Sequence, residues 1–302
     1  MRQVRYDRFG GVDELWIDEV PEPQAAPDQA VVKVYASCLN PGAVSALYGA
    51  SYTPMRDLAG VVVSVGAEVR DVRDVRVGQE VLGWSQDWSA HAEYVAVPAT
   101  QLIAKPAGLS WDVAGSLYVT PMAGLAGVGA VRPADGDTVA VSGATGGVGF
   151  TAAQLVRRTG AIVLGIGSPA KADELRKRGI IPVSYGGDPA EDLQKAAGGR
   201  RIDAFIDAFG SGYIQVALDL GVSPARINTA VDYQAAKENG VTARGTMDAG
   251  GLPAFRELAE LAASGDLAVP IAATFPLAEV KAAYTTLSER KPFGRVVLRP
   301  QE

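Results

Sequence analysis

Apolar positions recur with two different periods along the chain, and the period changes near residue 111. Before that point, short apolar runs of strand length alternate with turns rich in glycine and proline, as in residues 30–36, 57–66 and 77–84. Residues 111–129 have a helical period and predict one continuous helix. Beyond it, apolar runs alternate with helical segments, which predicts a doubly wound α/β domain with a parallel sheet after a small β-rich domain. Its six predicted strands are residues 138–141, 161–166, 180–183, 203–207, 225–231 and 241–246.

The first strand of the predicted parallel sheet runs directly into a glycine-rich turn. Gly143, Gly146 and Gly149 have the spacing G-x-x-G-x-x-G, with Gly147 and Val148 inside the pattern, and a helical segment follows. Glycines allow main-chain N–H groups to approach a pyrophosphate closely, and the positive end of the helix then faces the anion. Because the pattern lies between a strand and a helix, it predicts a dinucleotide-binding unit.

The end of the second predicted strand indicates which dinucleotide is preferred. NAD-binding units usually place an acidic residue about twenty positions after the glycines, on the ribose 2′-hydroxyl. Here that region contains Ser168 and Lys171, and the first carboxylate, Asp173, falls within the next helix. A hydroxyl and a cation suit a 2′-phosphate, which favours NADPH. The alternative is a serine that caps the helix beside a solvated lysine.

Composition and charge exclude several other classes of function. The net charge of −6 and the absence of a basic run argue against a nucleic-acid partner. The single cysteine, Cys38, excludes a cysteine-based structural zinc site, and the single histidine, His91, argues against most metal and Ser/His/Asp schemes. No stretch is apolar enough for a membrane span or a signal peptide, so we expect a cytoplasmic protein with no membrane partner.

Five motifs, in this order along almost the whole chain, resemble the medium-chain dehydrogenase/reductase superfamily in its zinc-free quinone oxidoreductase branch. They are Asn40-Pro41, residues 57–62, Ala92-Glu93-Tyr94, Gly143–Gly149 and residues 294–298. The resemblance implies a Rossmann sheet together with a split, GroES-like catalytic domain. The expected limits are residues 1–112 for the first part of the catalytic domain, 113–246 for the NADP-binding domain, and 247–302 for the return segment.

The departures from the zinc-dependent members of this superfamily concern the metal ligands. The resemblance places a cysteine ligand of those enzymes at Asn40 and a His-Glu pair at Arg56-Asp57. Residues 83–106, where their structural zinc lobe would lie, contain no cysteine. We therefore expect no bound zinc. Cys38 is then interpreted as a packing residue and His91 as a residue with a structural hydrogen bond.

The resemblance also implies roles for individual residues. Ser168, Lys171 and Tyr185 would bind the 2′-phosphate, Asn40 would lie near the nicotinamide, and Thr120 would contact the ribose or phosphate region. Phe209, Val231 and Arg295 complete the expected cofactor-binding set. Tyr48 and Tyr52 could hydrogen-bond a substrate carbonyl, or they could equally be packed aromatic residues. Family members usually have an aspartate where Ala43 stands, so we assign no general acid.

These features together predict an NADPH-dependent oxidoreductase that reduces quinones or α,β-unsaturated carbonyls by hydride transfer without zinc. An enoyl reductase acting on carrier-bound acyl thioesters and a non-catalytic NADPH-binding sensor are the alternatives. The last predicted strand, residues 241–247, would be the edge of the parallel sheet. Since sheet edges are seldom left bare, we expect a homodimer formed through this Rossmann-domain edge.

Overall fold

The computed structural model describes residues 1–42, 47, 56–69, 75–87, 89–289 and 293–302. The chain divides into two compact units, one made of Met1–Val119 with Phe255–Glu302 and the other of Thr120–Ala254. The sequence placed these divisions after residues 112 and 246. Among the described residues, no helix has the length and apolar character needed to cross a membrane.

The strands, numbered in chain order, are β1 Arg2–Arg5, β2 Trp16–Glu19, β3 Gln29–Leu39, β4 Asp57–Val65, β5 Glu80–Trp84, β6 Tyr94–Pro98, β7 Leu102–Ala104, β8 Thr138–Val141, β9 Ile162–Gly167, β10 Ile181–Ser184, β11 Ala204–Asp207, β12 Ile227–Thr229, β13 Ile271–Pro276 and β14 Arg295–Arg299. The α-helices are α1 Trp111–Ala114, α2 Val119–Val131, α3 Gly147–Arg158, α4 Ala172–Arg176, α5 Pro189–Ala197, α6 Tyr213–Asp219, α7 Tyr233–Asn239, α8 Gly251–Ser264 and α9 Val280–Ser288.

The first unit contains a sheet in the order β13-β14-β3-β4-β5-β7, with β6 paired to β3 and β1-β2 as a separate antiparallel pair. Pairing is antiparallel throughout this sheet except between β13 and β14. Val32, Val34, Leu58 and Val62 belong to one buried cluster between its strands. This confirms the expected β-rich, GroES-like domain, in which the return segment supplies β14 beside β3.

The second unit contains a five-stranded sheet in the order β10-β9-β8-β11-β12, and every pair in it is parallel. Ala140, Leu164, Phe205 and Ile227, one from each of four strands, are buried in one core cluster. The order runs outward in both directions from β8 and β11, as in a doubly wound nucleotide-binding fold. The predicted α/β class with a parallel Rossmann sheet is confirmed.

The predicted sixth strand of this sheet is wrong. Of residues 241–246, only Thr242 forms a bridge, parallel to Asn228. The Asn228 side chain replaces the ladder beyond it: its Oδ1 accepts from the Arg244 N–H at 2.8 Å, and its Nδ2 donates to the Arg244 carbonyl at 3.2 Å. A side chain thus takes the hydrogen bonds that a neighbouring backbone would have made.

The predicted single helix over residues 111–129 is also wrong, because α1 ends at Ala114 and α2 begins at Val119. A Cβ on Gly115 would lie 2.5 Å from the Ala36 carbonyl oxygen, so the chain packs against β3 where the first helix ends. The second helix starts where Asp57 accepts hydrogen bonds from two main-chain amides. The sequence likewise did not predict β7 and β13.

Candidate cofactor and active site

The glycine-rich turn between β8 and α3 is shaped by contacts that exclude side chains. Gly143 has φ of 60°, and its carbonyl accepts the Gly146 N–H at 2.8 Å. Gly146 is the N-cap of α3, whose first turn contains Gly147 and Val148. A Cβ on Gly149 would lie 2.3 Å from the Gly143 carbonyl oxygen. The N-terminus of α3 is therefore held close to the end of β8. The glycines leave the turn without side chains, as the close approach of a pyrophosphate requires.

Five of the predicted cofactor-binding residues lie just beyond the carboxyl ends of the five parallel strands. In the order of the strands along the chain, they are Gly143, Ser168, Tyr185, Phe209 and Val231. The last three are 55%, 46% and 38% exposed, which is high for such large apolar or aromatic side chains. Ligands of doubly wound sheets bind at this edge, so the fold brings these residues together where a dinucleotide would lie.

The loop after β9 has no carboxylate at its start. The Ser168 N–H donates to Thr145 Oγ1 at 3.4 Å, which joins this loop to the glycine turn. Lys171 ends the 3-10 turn that follows, and partial burial lowers the pKa of its ammonium group. Asp173 lies in α4, where it forms an exposed ion pair with Arg176 at 2.7 Å. The structure thus keeps the hydroxyl and the cation at the strand end and the first carboxylate within the next helix.

Thr120 is buried in the first turn of α2, and its Oγ1 has no hydrogen-bond partner among the residues that the structure describes. A buried hydroxyl without a partner is unusual, since its desolvation costs about 1–3 kcal/mol. This orphaned group fits the expectation that Thr120 contacts the cofactor. The Thr120 hydroxyl and the cradle that excludes a Cβ at Gly149 are the two features that fit the residues to a dinucleotide.

Asp207, at the carboxyl end of β11, is a candidate site residue that the sequence pattern did not indicate. Its side chain is fully buried, and it accepts hydrogen bonds from Ser142 Oγ and from the main-chain amides of Phe209 and Gly210. Thr229 Oγ1 donates to its other oxygen. A charged residue at the end of an apolar strand, followed by Ala-Phe-Gly, is the signal that could have identified it.

In the first unit, Asn40 follows β3 and is only 7% exposed. Its Nδ2 donates to Asp57 Oδ2 at 2.8 Å, while Asp57 Oδ1 accepts from the amides of Tyr118 and Val119 at 2.7 and 3.1 Å. Burial raises the pKa of the Asp57 carboxyl, and the three hydrogen bonds oppose that rise. These contacts fix the orientation of the Asn40 amide and the start of α2 at once.

Arg295 differs from the other predicted cofactor-binding residues in its location. It begins β14 in the first unit and is 8% exposed. Burial lowers the pKa of its guanidinium, and the nearby Cys38 and Asp57 oppose that change. The structure therefore places Arg295 in the electrostatic environment of Asp57 and in a different unit from the glycine turn.

The resemblance places Asn40 and Arg56 at positions of zinc ligands, and neither an amide nor a guanidinium is a usual ligand of zinc. Among the described residues there is no group of three or more His, Cys, Asp or Glu side chains that could hold one. The Asp57 carboxylate is already occupied by three donors. Cys38 is buried, which raises the pKa of its thiol to about 12, and burial lowers the pKa of His91 to about 4. His91 Nε2 lies 3.5 Å from the Cys38 carbonyl, a contact of a packed interior.

Tyr48 and Tyr52, the candidate partners of a substrate carbonyl, lie outside the residues that the structure describes, as does Ala43. The described part of the first unit therefore contributes Asn40, held by Asp57, as its candidate catalytic residue.

Two family models match this chain. Residues 26–107 match the alcohol dehydrogenase GroES-like domain, and residues 180–298 match the zinc-binding dehydrogenase family. The first range covers most of the mixed sheet of the first unit, and the second runs from β10 to β14.

Curated proteins similar to the chain include an NADPH-dependent alkenal/one oxidoreductase of Arabidopsis thaliana, which is 28% identical over 70% of the chain and 58% of its own length. A phenolphthiocerol synthesis polyketide synthase of Mycobacterium marinum is 30% identical over 96% of the chain but only 14% of that synthase. The chain spans about half the length of the first curated relatives it matches.

Among solved structures, the quinone oxidoreductase of Coxiella burnetii superimposes with a TM-score of 0.87 over 99% of both chains, at 24% identity. This likeness covers both units of the fold. It supports the fold alone, and the two family models, over residues 26–107 and 180–298, show that the chain belongs to the medium-chain dehydrogenase/reductase superfamily.

Proposed function

We propose that the protein is an NADPH-dependent oxidoreductase that reduces conjugated carbonyl compounds, either α,β-unsaturated carbonyls or quinones, without zinc. The observation that carries this proposal is the hydrogen bond from Asn40 to Asp57, because the resemblance places Asn40 where zinc-dependent relatives have a cysteine ligand. The Asn40 amide is a poor replacement for a cysteine ligand, and the Asp57 carboxylate already accepts from three donors, so these two residues do not provide a site for a metal that would polarise a plain ketone.

Conjugated acceptors depend less on polarisation of the carbonyl by a Lewis acid. Conjugation spreads the arriving negative charge onto the carbonyl oxygen, so orientation and exclusion of water contribute most of the catalysis. NADPH, when bound, supplies the hydride. The similarity to the NADPH-dependent alkenal/one oxidoreductase of Arabidopsis supports both the cofactor and the class of acceptor.

The chain's own residues have separate tasks in this proposal. The turn from Gly143 to Gly149 holds the pyrophosphate, while Ser168, Lys171 and Tyr185 recognise the 2′-phosphate. Phe209, Val231 and the orphaned Thr120 hydroxyl contact the remainder of the cofactor. Asn40, held by Asp57, orients the reacting groups.

A second candidate is reduction of an enoyl thioester. It is favoured by the match to a polyketide synthase, which extends over 96% of this chain. An enoyl thioester is also a conjugated carbonyl, so the same site could serve it, and the size and charge of the carrier would then decide the substrate.

The test is NADPH oxidation, followed at equal acceptor concentrations, with a quinone, a small enone, an enoyl thioester and an unconjugated ketone. We expect turnover with at least one conjugated acceptor, a rate at least about tenfold lower with the ketone, and full activity after dialysis against a chelator. Stoichiometric zinc in the purified protein, with activity lost on its removal, would contradict the zinc-free mechanism. Equal rates with ketone and enone would contradict the substrate class.

We also propose that the protein is a homodimer formed through the edge beyond β12. Thr242 and Arg244 direct their main-chain groups toward Ile227–Thr229. Ala243 lies between them and makes no hydrogen bond to another main-chain group within the described residues. Its N–H and carbonyl could therefore pair with another strand at this edge. A second copy could pair there across a two-fold axis.

A further inference from the structure

We propose that Asp207 and Thr229 are positioning residues that set the nicotinamide half of the cofactor site before any cofactor arrives. This inference rests on the proposed NADPH-dependent function. It concerns the carboxyl ends of the adjacent strands β8, β11 and β12.

The hydrogen bonds of Asp207 join three strand ends. Its Oδ1 accepts from Ser142 Oγ at 2.5 Å and from the amides of Phe209 and Gly210 at 3.0 and 2.9 Å. Its Oδ2 accepts from Thr229 Oγ1 at 2.8 Å. Ser142 immediately precedes the glycine turn, Phe209 and Gly210 form the loop after β11, and Thr229 ends β12. One carboxylate therefore fixes the spacing of the three loops.

Thr229 extends this arrangement to the next turn. Its Oγ1 accepts from the amides of Val231 and Asp232 at 3.2 and 3.1 Å while it donates to Asp207. A hydroxyl has one donor and two acceptor positions, so all three are in use. The only proton of the hydroxyl is donated to Asp207. If the hydroxyl rotated to donate elsewhere, it would lose the hydrogen bonds that it accepts from the amides of Val231 and Asp232. Asp232 in turn caps α7 by accepting the Ala235 amide.

The strand order determines which half of the cofactor these loops contact. Ser168 and Tyr185 follow β9 and β10, on one side of β8, whereas Phe209 and Val231 follow β11 and β12, on the other side. A dinucleotide whose phosphates lie at the glycine turn extends in both directions across this edge. With the 2′-phosphate over Ser168, the nicotinamide half lies over the loops that Asp207 and Thr229 hold.

The decisive experiment compares Thr229→Val with Thr229→Ser, using NADPH and adenosine 2′,5′-bisphosphate as calorimetric probes. Valine has a similar shape but removes the hydroxyl, so the Kd for NADPH should rise about tenfold, while the Kd for the bisphosphate changes less than about twofold. Serine retains the hydroxyl and should restore NADPH binding. The matched control is Thr242→Val, which removes a threonine hydroxyl bound to Ile227 and Asn228 outside this network.

Equal weakening of both probes by Thr229→Val, or weakening by Thr242→Val as large as that by Thr229→Val, would overturn the positioning role. A second measurement uses the parent protein without cofactor, so it does not require that any variant folds. In the cofactor-free parent, hydrogen exchange should find the amides of Val231, Asp232, Phe209 and Gly210 protected, because the network holds them beforehand. Rapid exchange at these four amides would overturn the inference. If the parent fails to bind NADPH while these amides are protected, the proposed function fails and the network stands.

Discussion

At Gly149, the first turn of α3 packs against the end of β8. A single methyl group added at this position would prevent that close packing. A Cβ there would lie 2.3 Å from the carbonyl oxygen of Gly143 and 2.8 Å from that of Ser142, both main-chain atoms. Main-chain atoms cannot move aside as a flexible side chain can. We expect Gly149→Ala to weaken NADPH binding more than about tenfold and to lower the melting temperature.

The matched control for this substitution is Gly129→Ala in α2, where nothing lies within 4 Å of the added Cβ. An alanine in a helix interior is favoured over glycine, so this variant should gain about 0.5–1 kcal/mol. Thermal unfolding and cofactor titration of both variants provide the measurement. Similar behaviour of the two variants would show that the contact at Gly149 is unimportant.

Lys171 is the residue on which the choice between NADPH and NADH depends most. Its ammonium group is partly buried beside the end of β9, where a 2′-phosphate would lie. Lys171→Ala should lose most of the preference for NADPH and little affinity for NADH, as judged by titration with both cofactors. Lys195→Ala, which removes an equal charge from an exposed position in α5, should change neither. A parent protein with equal affinity for both cofactors would refute the assignment.

His91 should make the stability of the protein depend on pH. Burial lowers its pKa from 6.5 to about 4, so the unfolded state binds the proton first as the pH falls. The contribution of the neutral histidine is fully present above pH 6.5 and is lost progressively down to about pH 4. Between pH 7 and 5 the loss should be about 2 kcal/mol.

Urea unfolding of the parent protein and of His91→Phe, at both pH values, would measure this effect. The variant should show a smaller loss than the parent by about that amount, because it has no imidazole to protonate. A parent and variant with equal pH dependence would contradict the burial argument.

At the level of single residues, the local signals could be interpreted from the sequence and the non-local ones could not. The glycine turn and the loop containing Ser168 and Lys171 are each encoded within a few positions. Asp207 was missed because its side-chain partners, Ser142 and Thr229, are 65 and 22 residues away along the chain. The cofactor role of Arg295 stays a prediction, and its place at the start of β14 depends on strand pairing between residues far apart in the sequence.

At the level of elements, most types of helix and strand followed from the periodicity, although β7 and β13 did not. Two boundary errors arose where a distant side chain decides where an element begins or ends. Asp57, from β4, sets the start of α2 through the amides of Tyr118 and Val119. Asn228 ends the pairing beyond β12 by binding Arg244. No local pattern contains either effect, because each joins residues far apart in the sequence.

The edge beyond β12 provides a test of assembly. A proline at Ala243 would remove a main-chain N–H that makes no main-chain hydrogen bond within the described residues, whereas serine would retain it. We expect the parent and Ala243→Ser to be dimers and Ala243→Pro to be monomeric by light scattering. A monomeric parent, or a dimeric proline variant, would exclude pairing through this edge.

At the level of the whole molecule, the second unit is inserted in the sequence of the first, between its two segments. It leaves the first unit after Val119 and returns to it at Phe255. The strand β14 then pairs with β3 through Val296–Leu298 and Ser37–Leu39, next to Asn40. The family and the fold could be inferred from the order of short motifs, but the insertion of the last strand beside the third depends on contacts between the two ends of the chain.

This arrangement has a consequence for biosynthesis. Until the ribosome has added β14, the continuous second unit can already fold, whereas β3 waits with one edge unpaired near Asn40. The incomplete first unit can therefore associate wrongly through this unpaired edge, and a chaperone would bind it at this stage. Synonymous codons that slow translation between the codons for residues 255 and 295 should therefore lower the soluble yield of the protein without changing its sequence.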